Sequence, residues 1–266
     1  MSFLNKDKFL KKIIVPVILL IIVVGISGCN KEKEAITVFA ASSLTESMKE
    51  IKEVFEKENP NVEIQLNLDS SSRLRTQIEQ GMEVDLYLSA NKKHYEALNE
   101  KEMIASGVNF LSNSLVLVVP KDNPAKIEKP EDLINECKLV IAQKEVPVGN
   151  YTLQVLEAYD ESLGNEYKEK VLKNVVSEEN NVKQVVAKVV LGEADAAFVY
   201  GSDVTMDNKD KLKVIEISEK YNVKAAYWMG SMKGSENNKN VQALYNMITE
   251  ESGYKIFEKY GFGKAE

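Results

Sequence analysis

Apolar residues fall into two alternating patterns along this chain. Short runs dense in Val, Ile, Leu and Phe occupy residues 36–40, 62–68, 84–88, 114–119, 138–142, 195–200, 213–217 and 225–230, and they predict strands. Between most of them the apolar positions recur every three or four residues. Leu44, Met48, Ile51 and Phe55 line one face of a helix. Val182, Val185, Val186, Val189 and Val190 line another, with Asn180 or Asn181 as its cap and Gly192 as its stop. Alternation of this kind predicts an α/β fold with mainly parallel sheets and helices on both faces.

Two places in the pattern suggest two lobes. The wholly apolar run Leu115–Val119 is followed by Pro120, Pro124 and Pro130, which marks a surface excursion before a new unit. Ala225–Gly230 reads as a second buried strand, and an amphipathic helix from about Asn238 to Tyr260 follows it. A chain that leaves lobe one near 115 and returns near 222 makes residues 35–114 and 222–266 one lobe and 115–221 the other. Two strands crossing side by side form a hinge, and the cleft between the lobes is the natural ligand site.

The first 28 residues read as an address. Lys6, Lys8, Lys11 and Lys12 precede an apolar run from Ile13 to Val24 that is too short to span a bilayer and contains Pro16. The run ends in Ile26-Ser27-Gly28-Cys29, which resembles a bacterial lipobox with Cys29 as the lipidated residue. Residues 29–34 form a charged tether. Processing at Cys29 places the domain outside the cytoplasmic membrane, held to its outer face by lipid alone.

Composition narrows the chemistry. Cys137 is then the one cysteine beyond the anchor, which excludes an internal disulfide, and with His94 as the single histidine no cysteine–histidine metal site can form. Cys137 itself reads as a small core residue at a strand start. The formal charge is −7, and loss of four lysines and one aspartate with residues 1–28 makes it −10. Such a surface disfavours nucleic acid and anionic membrane as partners. No G-x-S-x-G elbow is present, and His94 sits on a polar helical stretch that reads as solvent-facing, so a secreted serine hydrolase is disfavoured and no catalytic residue is assigned.

Four helix starts stand out as anion-friendly, because unpaired amides and the positive dipole end coincide there. Ser43 followed by Glu46 has capping-box spacing. The Ser70-Ser71-Ser72 triplet opens a second helix, Val146-Pro147-Val148-Gly149 a third and Asn180-Asn181-Val182 a fourth. Each alone is an ordinary cap. Arg73 and Arg75, the only arginines, either offset the acidic field beside the triplet or are simply solvated.

In order and spacing, several segments resemble the molybdate-binding proteins that feed ABC importers. They are Val38-Phe39-Ala40-Ala41-Ser42-Ser43-Leu44-Thr45, Ser70-Ser71-Ser72 with Gln77-Ile78-Glu79, and Asp85-Leu86-Tyr87-Leu88-Ser89-Ala90. Further along come Asn113-Ser114-Leu115-Val116, Val146-Pro147-Val148-Gly149-Asn150-Tyr151, Val199-Tyr200-Gly201-Ser202-Asp203 and Phe257-Glu258-Lys259-Tyr260-Gly261-Phe262. The resemblance implies a type II periplasmic-binding-protein fold, two lobes closing over one oxyanion. Molybdate, with tungstate, is the implied ligand, and sulfate the alternative. Ser43 and Ser71 are implied as donors through hydroxyl and amide, Val148 and Val182 through backbone N–H, and Tyr200 through its phenol. No cofactor is implied beyond the ligand, and metal enters only as oxyanion. The implied partner is an ABC permease, served by a monomer. Ser42 and Arg73 depart from the family pattern, and the extra Ser42 hydroxyl competes with Ser43 for the donor role.

Overall fold

The computed structural model describes residues 33–164 and 166–265. The secretory run and Cys29 lie outside them. The described chain runs β1 (Glu34–Ala41), α1 (Thr45–Glu58), β2 (Val62–Asp69), α2 (Ser71–Glu79), β3 (Leu86–Ser89), α3 (Lys92–Asn99) and β4 (Ile104–Pro120). It continues through β5 (Leu139–Ala142), α4 (Pro147–Leu163), α5 (Tyr167–Lys173), β6 (Val175–Glu179), α6 (Val182–Val190), β7 (Ala196–Tyr200) and β8 (Leu212–Glu216). Last come β9 (Lys224–Met232), α7 (Lys239–Thr249), α8 (Glu251–Lys259) and β10 (Gly263–Lys264).

The periodic faces identified in the sequence are the buried ones. Leu44, Met48, Ile51 and Phe55 pack under α1, and Val182, Val185, Val186 and Val189 under α6, all almost fully buried. Each helix lays its apolar stripe on a sheet, which is the packing that amphipathic periodicity requires. The largest core cluster draws on nearly every strand, and a smaller one gathers Phe39, Leu74, Tyr87, Tyr95 and Ile104.

Strands hydrogen-bond in the order β2-β1-β3-β9-β4-β7-β5-β6, with β8 and β10 also on β4. β1 pairs in parallel with β3, and β5 with β6 and β7. The sheet is nonetheless mixed, because β4 and β9 run antiparallel to each other and to their neighbours. Strand–helix alternation foretells the parallel pairings. The antiparallel ones arise where the chain crosses the molecule and comes back.

β4 is the crossing. As far as Ser114 it pairs with β9, and from Leu115 onward with β7 and β8. Asn222, just before β9, grips this point: its Nδ2 donates to the Leu115 carbonyl at 2.8 Å, and its Oδ1 accepts from the Leu115 amide at 3.3 Å.

Some elements departed from expectation. The first half of β4 was unforeseen because register shifts near Ile104 and Leu111 break its period of two. β6 is a half-exposed edge strand rich in glutamate, with little apolar signal. The helix expected over 238–260 is two helices. Glu250 adopts extended backbone (ψ 175°), ending α7 by donating to Asn246 and opening α8 by accepting from Tyr254. Cys137 is half-buried beside the core, and burial pushes its thiol up to about 11, so it stays protonated.

Candidate functional site

Five chain segments meet at one small pocket, with about 190 Å³ of space between atoms that opens in part to solvent. Ser43 reaches it from the turn after β1, Ser71 from the start of α2, Val148 from the start of α4, Val182 from the start of α6, and Tyr200 from the end of β7. Thus all five residues singled out in the sequence face the same space. Ala41, Ser42, Ser70, Ala90, Val146 and Pro147 complete its wall, and none of the described lining residues carries a charge.

Helix geometry supplies the donors. The amides of Val148 and Val182 belong to first turns, where no intrahelical carbonyl is available to accept them. Pro147 at the first helical position sets the entry of α4. Asn181 caps α6 by accepting the Gln184 amide at 3.1 Å, which leaves the Val182 amide outside that cap.

The serine hydroxyls are held differently from what their spacing suggested. Ser43 makes no capping box with Glu46. Residues Ser42–Leu44 form a single 3-10 turn ahead of α1, and the Ser43 hydroxyl lies 2.8 Å from the Tyr227 hydroxyl. Glu46 is drawn away to Lys183, at 2.8 Å. Ser70, not Ser71, is the residue preceding α2, and the Ser71 Oγ accepts the Ala90 amide at 2.9 Å. Tyr87 donates to the Ser71 carbonyl at 2.8 Å, which fixes that backbone from the other side.

Tyr200 is 1 % exposed, and its hydroxyl has no hydrogen-bond partner among the described residues. Burial pushes its phenol well above the ordinary tyrosine range, so it remains a neutral donor. A buried hydroxyl without a partner costs about 1–3 kcal/mol. Tyr200→Phe should therefore leave the anion-free protein as stable as wild type or more so, as thermal melting would read. A fall of several degrees would mean that the hydroxyl has an internal partner.

Contacts between segments distant in sequence flank the pocket. Asn181 donates to Asp69 at 3.0 Å, and Lys183 joins Glu46 to Asp203, the latter at 3.5 Å. Asp203 is fully buried below Tyr200, whose amide it accepts at 3.2 Å. Burial raises its carboxyl to about 6, and Lys183 limits the rise. Burial also works against the Lys183 ammonium, but Asp203 and Glu46 outweigh it and hold it above the usual lysine range. Arg73 lies outside the cavity, half-exposed, 3.4 Å from Asp69.

His94 makes a third such contact and is not the solvent-facing residue its polar neighbours implied. It is 3 % exposed, and its Nε2 lies 2.9 Å from the Glu145 carbonyl. Only a protonated Nε2 can donate to that carbonyl, which makes the buried, unpartnered Nδ1 the bare nitrogen. Burial lowers its pKa to about 4, below the free value of 6.5, against the pull of the Glu145 carbonyl. The stabilising contribution is thus complete above pH 6.5 and lost as pH falls toward 4. By pH 5 the loss is about 2 kcal/mol. Asp203, raised instead, acts in the opposite sense as pH falls through 6. Comparing His94→Gln with wild type by melting at pH 7 and pH 5 isolates the histidine. The variant should gain on wild type at pH 5, and a gap independent of pH would refute the assignment.

Sequence reading missed Tyr227, Lys183, Asp203 and His94 as neighbours of this site. Asp203 lay within a segment that carried the resemblance, which was the available signal. Tyr227 sits mid-strand among apolar residues and gave none.

A model of a bacterial extracellular solute-binding protein family matches residues 36–263. The molybdate-binding protein ModA of Escherichia coli (strain K12) is 34% identical over 239 residues, covering 85% of this chain and 88% of that protein. A solved structure described as the substrate binding domain of a putative molybdenum ABC transporter from Clostridium difficile is 33% identical. It covers 88% of this chain and 100% of its own, with a TM-score of 0.66. The periplasmic molybdate-binding protein of Azotobacter vinelandii, at 19% identity and a TM-score of 0.75 over 87% of this chain and 100% of its own, shares the fold. With its α/β architecture and a family match that runs almost from β1 to β10, this chain belongs to the bacterial extracellular solute-binding proteins.

Proposed function

We propose that this protein captures molybdate, and tungstate with it, between two lobes and hands it to an ABC permease. The observation that carries this reading is the uncharged cavity onto which Ser43, Ser71, Val148, Val182 and Tyr200 converge, with the Tyr200 hydroxyl unpartnered. A dianion taken out of water needs its hydration replaced by fixed donors. Hydrogen bonds to a charged group contribute about 1.5–3 kcal/mol each, so a handful suffices for tight binding. Neutral donors serve capture and release alike, since no salt bridge must break at the transporter.

The relatives named for molybdate supply the choice of anion. Residues 35–114 with 222–266 form one lobe and 115–221 the other. Closure draws the serine wall against the amide wall, with β4 and the approach to β9 as hinges. Lipid on Cys29 tethers a monomer to the outer face of the cytoplasmic membrane. The role is binding and delivery, with no catalytic step.

Isothermal calorimetry on the chain from residue 30 tests the reading. Strong heat with molybdate and tungstate and little with sulfate is expected, while strong heat with sulfate alone would refute it. Tyr200→Phe should weaken molybdate binding about tenfold while leaving the fold intact.

A further inference from the structure

An uncharged pocket gives a distant dianion nothing to follow, and the formal charge of −7 on this chain repels one. The charges beside the pocket depart from that sign. Arg73 and Arg75, the two arginines of the sequence, line a second depression with Ser72, Lys93, His94 and Glu145. It adjoins the pocket along two segments, where Ser71 is followed by Ser72 in α2 and Val146 is preceded by Glu145 ahead of α4. Lys93, in the first turn of α3, comes three positions after the pocket residue Ala90. All three cations therefore lie within a few residues of the pocket wall.

Their countercharges are incomplete. Arg73 stands 3.4 Å from Asp69, whose Oδ1 already accepts the Ser70 amide at 2.7 Å and Asn181 at 3.0 Å. The buried Nε of Arg75 has no hydrogen bond among the described residues, and Glu79, 3.7 Å away, takes Lys101 at 3.0 Å. Lys93 meets no carboxylate at ion-pair distance among the described residues. Glu145 turns outward, its side chain 61 % exposed and 3.9 Å from Lys144. Arg73, Arg75, Lys93, Lys101 and Lys144 thus face Asp69, Glu79 and Glu145, a surplus of two positive charges, while the neighbouring Lys92–Glu96 pair cancels. On the opposite flank Lys183 faces both Glu46 and Asp203, and the sign is reversed. His94 feels the surplus: after burial and the Glu145 carbonyl, Arg75 and Lys93 are the leading charges acting on it, and Glu79 opposes them.

We propose that Arg73, Arg75 and Lys93 form an entry station for the oxyanion, drawing the dianion to this flank of the pocket before the neutral donors take it over. The inference rests on the reading of the pocket as an oxyanion site and adds the side from which the anion enters. The arginines thereby offset the acidic field and are not merely solvated. Charges at a rim speed association, while dissociation is left to the groups that touch the ion. Fast capture and easy release are then assigned to different residues.

Rapid filtration with radiolabelled molybdate on the full chain tests it, reading association and dissociation separately. Wild-type association should slow about threefold between about 10 mM and about 0.5 M salt, whereas steering by the overall negative charge would quicken it. This sign needs no variant. Arg73→Gln combined with Lys93→Gln, both at exposed positions, should slow association about fivefold at the lower salt and less than about twofold at the higher. Dissociation should stay within about twofold of wild type. Arg73→Lys should keep the wild-type rate, because a charge is required and not a shape. Association that quickens with salt, or a double variant as fast as wild type at low salt, overturns the entry station and leaves the oxyanion site standing. So does a loss that persists at high salt with faster dissociation, which would make these side chains direct ligands. Failure of the wild-type protein to retain molybdate overturns both readings.

Discussion

Gly149→Ala is expected to cost about 3 kcal/mol of stability and to abolish tight oxyanion binding. A Cβ at this position would stand 2.2 Å from the Gln143 carbonyl oxygen and 2.4 Å from that of Ala142. Both atoms are backbone, at the end of β5 and just beyond it, so neither can swing aside as a side chain would. The first turn of α4 must instead lift from the sheet, and it carries the Val148 amide with it. Displacing one donor by an ångström forfeits most of its hydrogen bond, because the geometry tolerates little misalignment. Urea unfolding measures the first effect and molybdate calorimetry the second. Wild-type values in both would show that the helix start accommodates a methyl group and that the close approach is not a constraint.

Ser71→Ala is the second large effect, and it has two separable parts. With anion bound, a donor to a charged group disappears, which corresponds to a loss of about tenfold to a hundredfold in affinity. Without anion, the Ala90 amide loses its only described acceptor in a buried setting, at a cost of about 1–3 kcal/mol. Ser71→Thr separates the parts, since it keeps the oxygen for Ala90. It should recover stability more fully than affinity, as the added methyl crowds the cavity. A Ser71→Ala protein that melts with wild type would contradict the Ala90 contact. One that binds molybdate as wild type does would remove Ser71 from the site.

Much of the fold was readable because burial imposes simple periods. Leu44, Met48, Ile51 and Phe55 had to share a face, and the valines of α6 likewise. The turn chemistry of Pro147 located the start of α4, and the Asn180-Asn181 pair located that of α6 to within a residue. What could not be read is where neighbouring segments compete for one group. Ser43 and Glu46 have perfect spacing for a mutual cap, yet each finds a better partner far along the chain, in Tyr227 and Lys183. His94 shows the same limit: polar neighbours on α3 say nothing about the Glu145 carbonyl that approaches from across the cleft. The site residues themselves came from resemblance, since a serine cap or a strand-end tyrosine is commonplace in isolation. Bulges hid the first half of β4, and the extended backbone at Glu250 divided a helix that periodicity ran together.

Of the five donors proposed for the anion, Val148 and Val182 would act through the main chain. Their side chains can be exchanged without deleting the amide, whereas Ser43, Ser71 and Tyr200 each lose their hydroxyl in a single substitution. Saturation mutagenesis scored for molybdate uptake should accordingly report a lopsided site. Ser43, Ser71 and Tyr200 would tolerate almost nothing, the buried positions 148 and 182 would accept apolar residues of similar size, and Gly149 in the first turn of α4 would accept no side chain. A map of tolerance would then mark the two amide donors only faintly, although they would hold the ligand as directly as the hydroxyls.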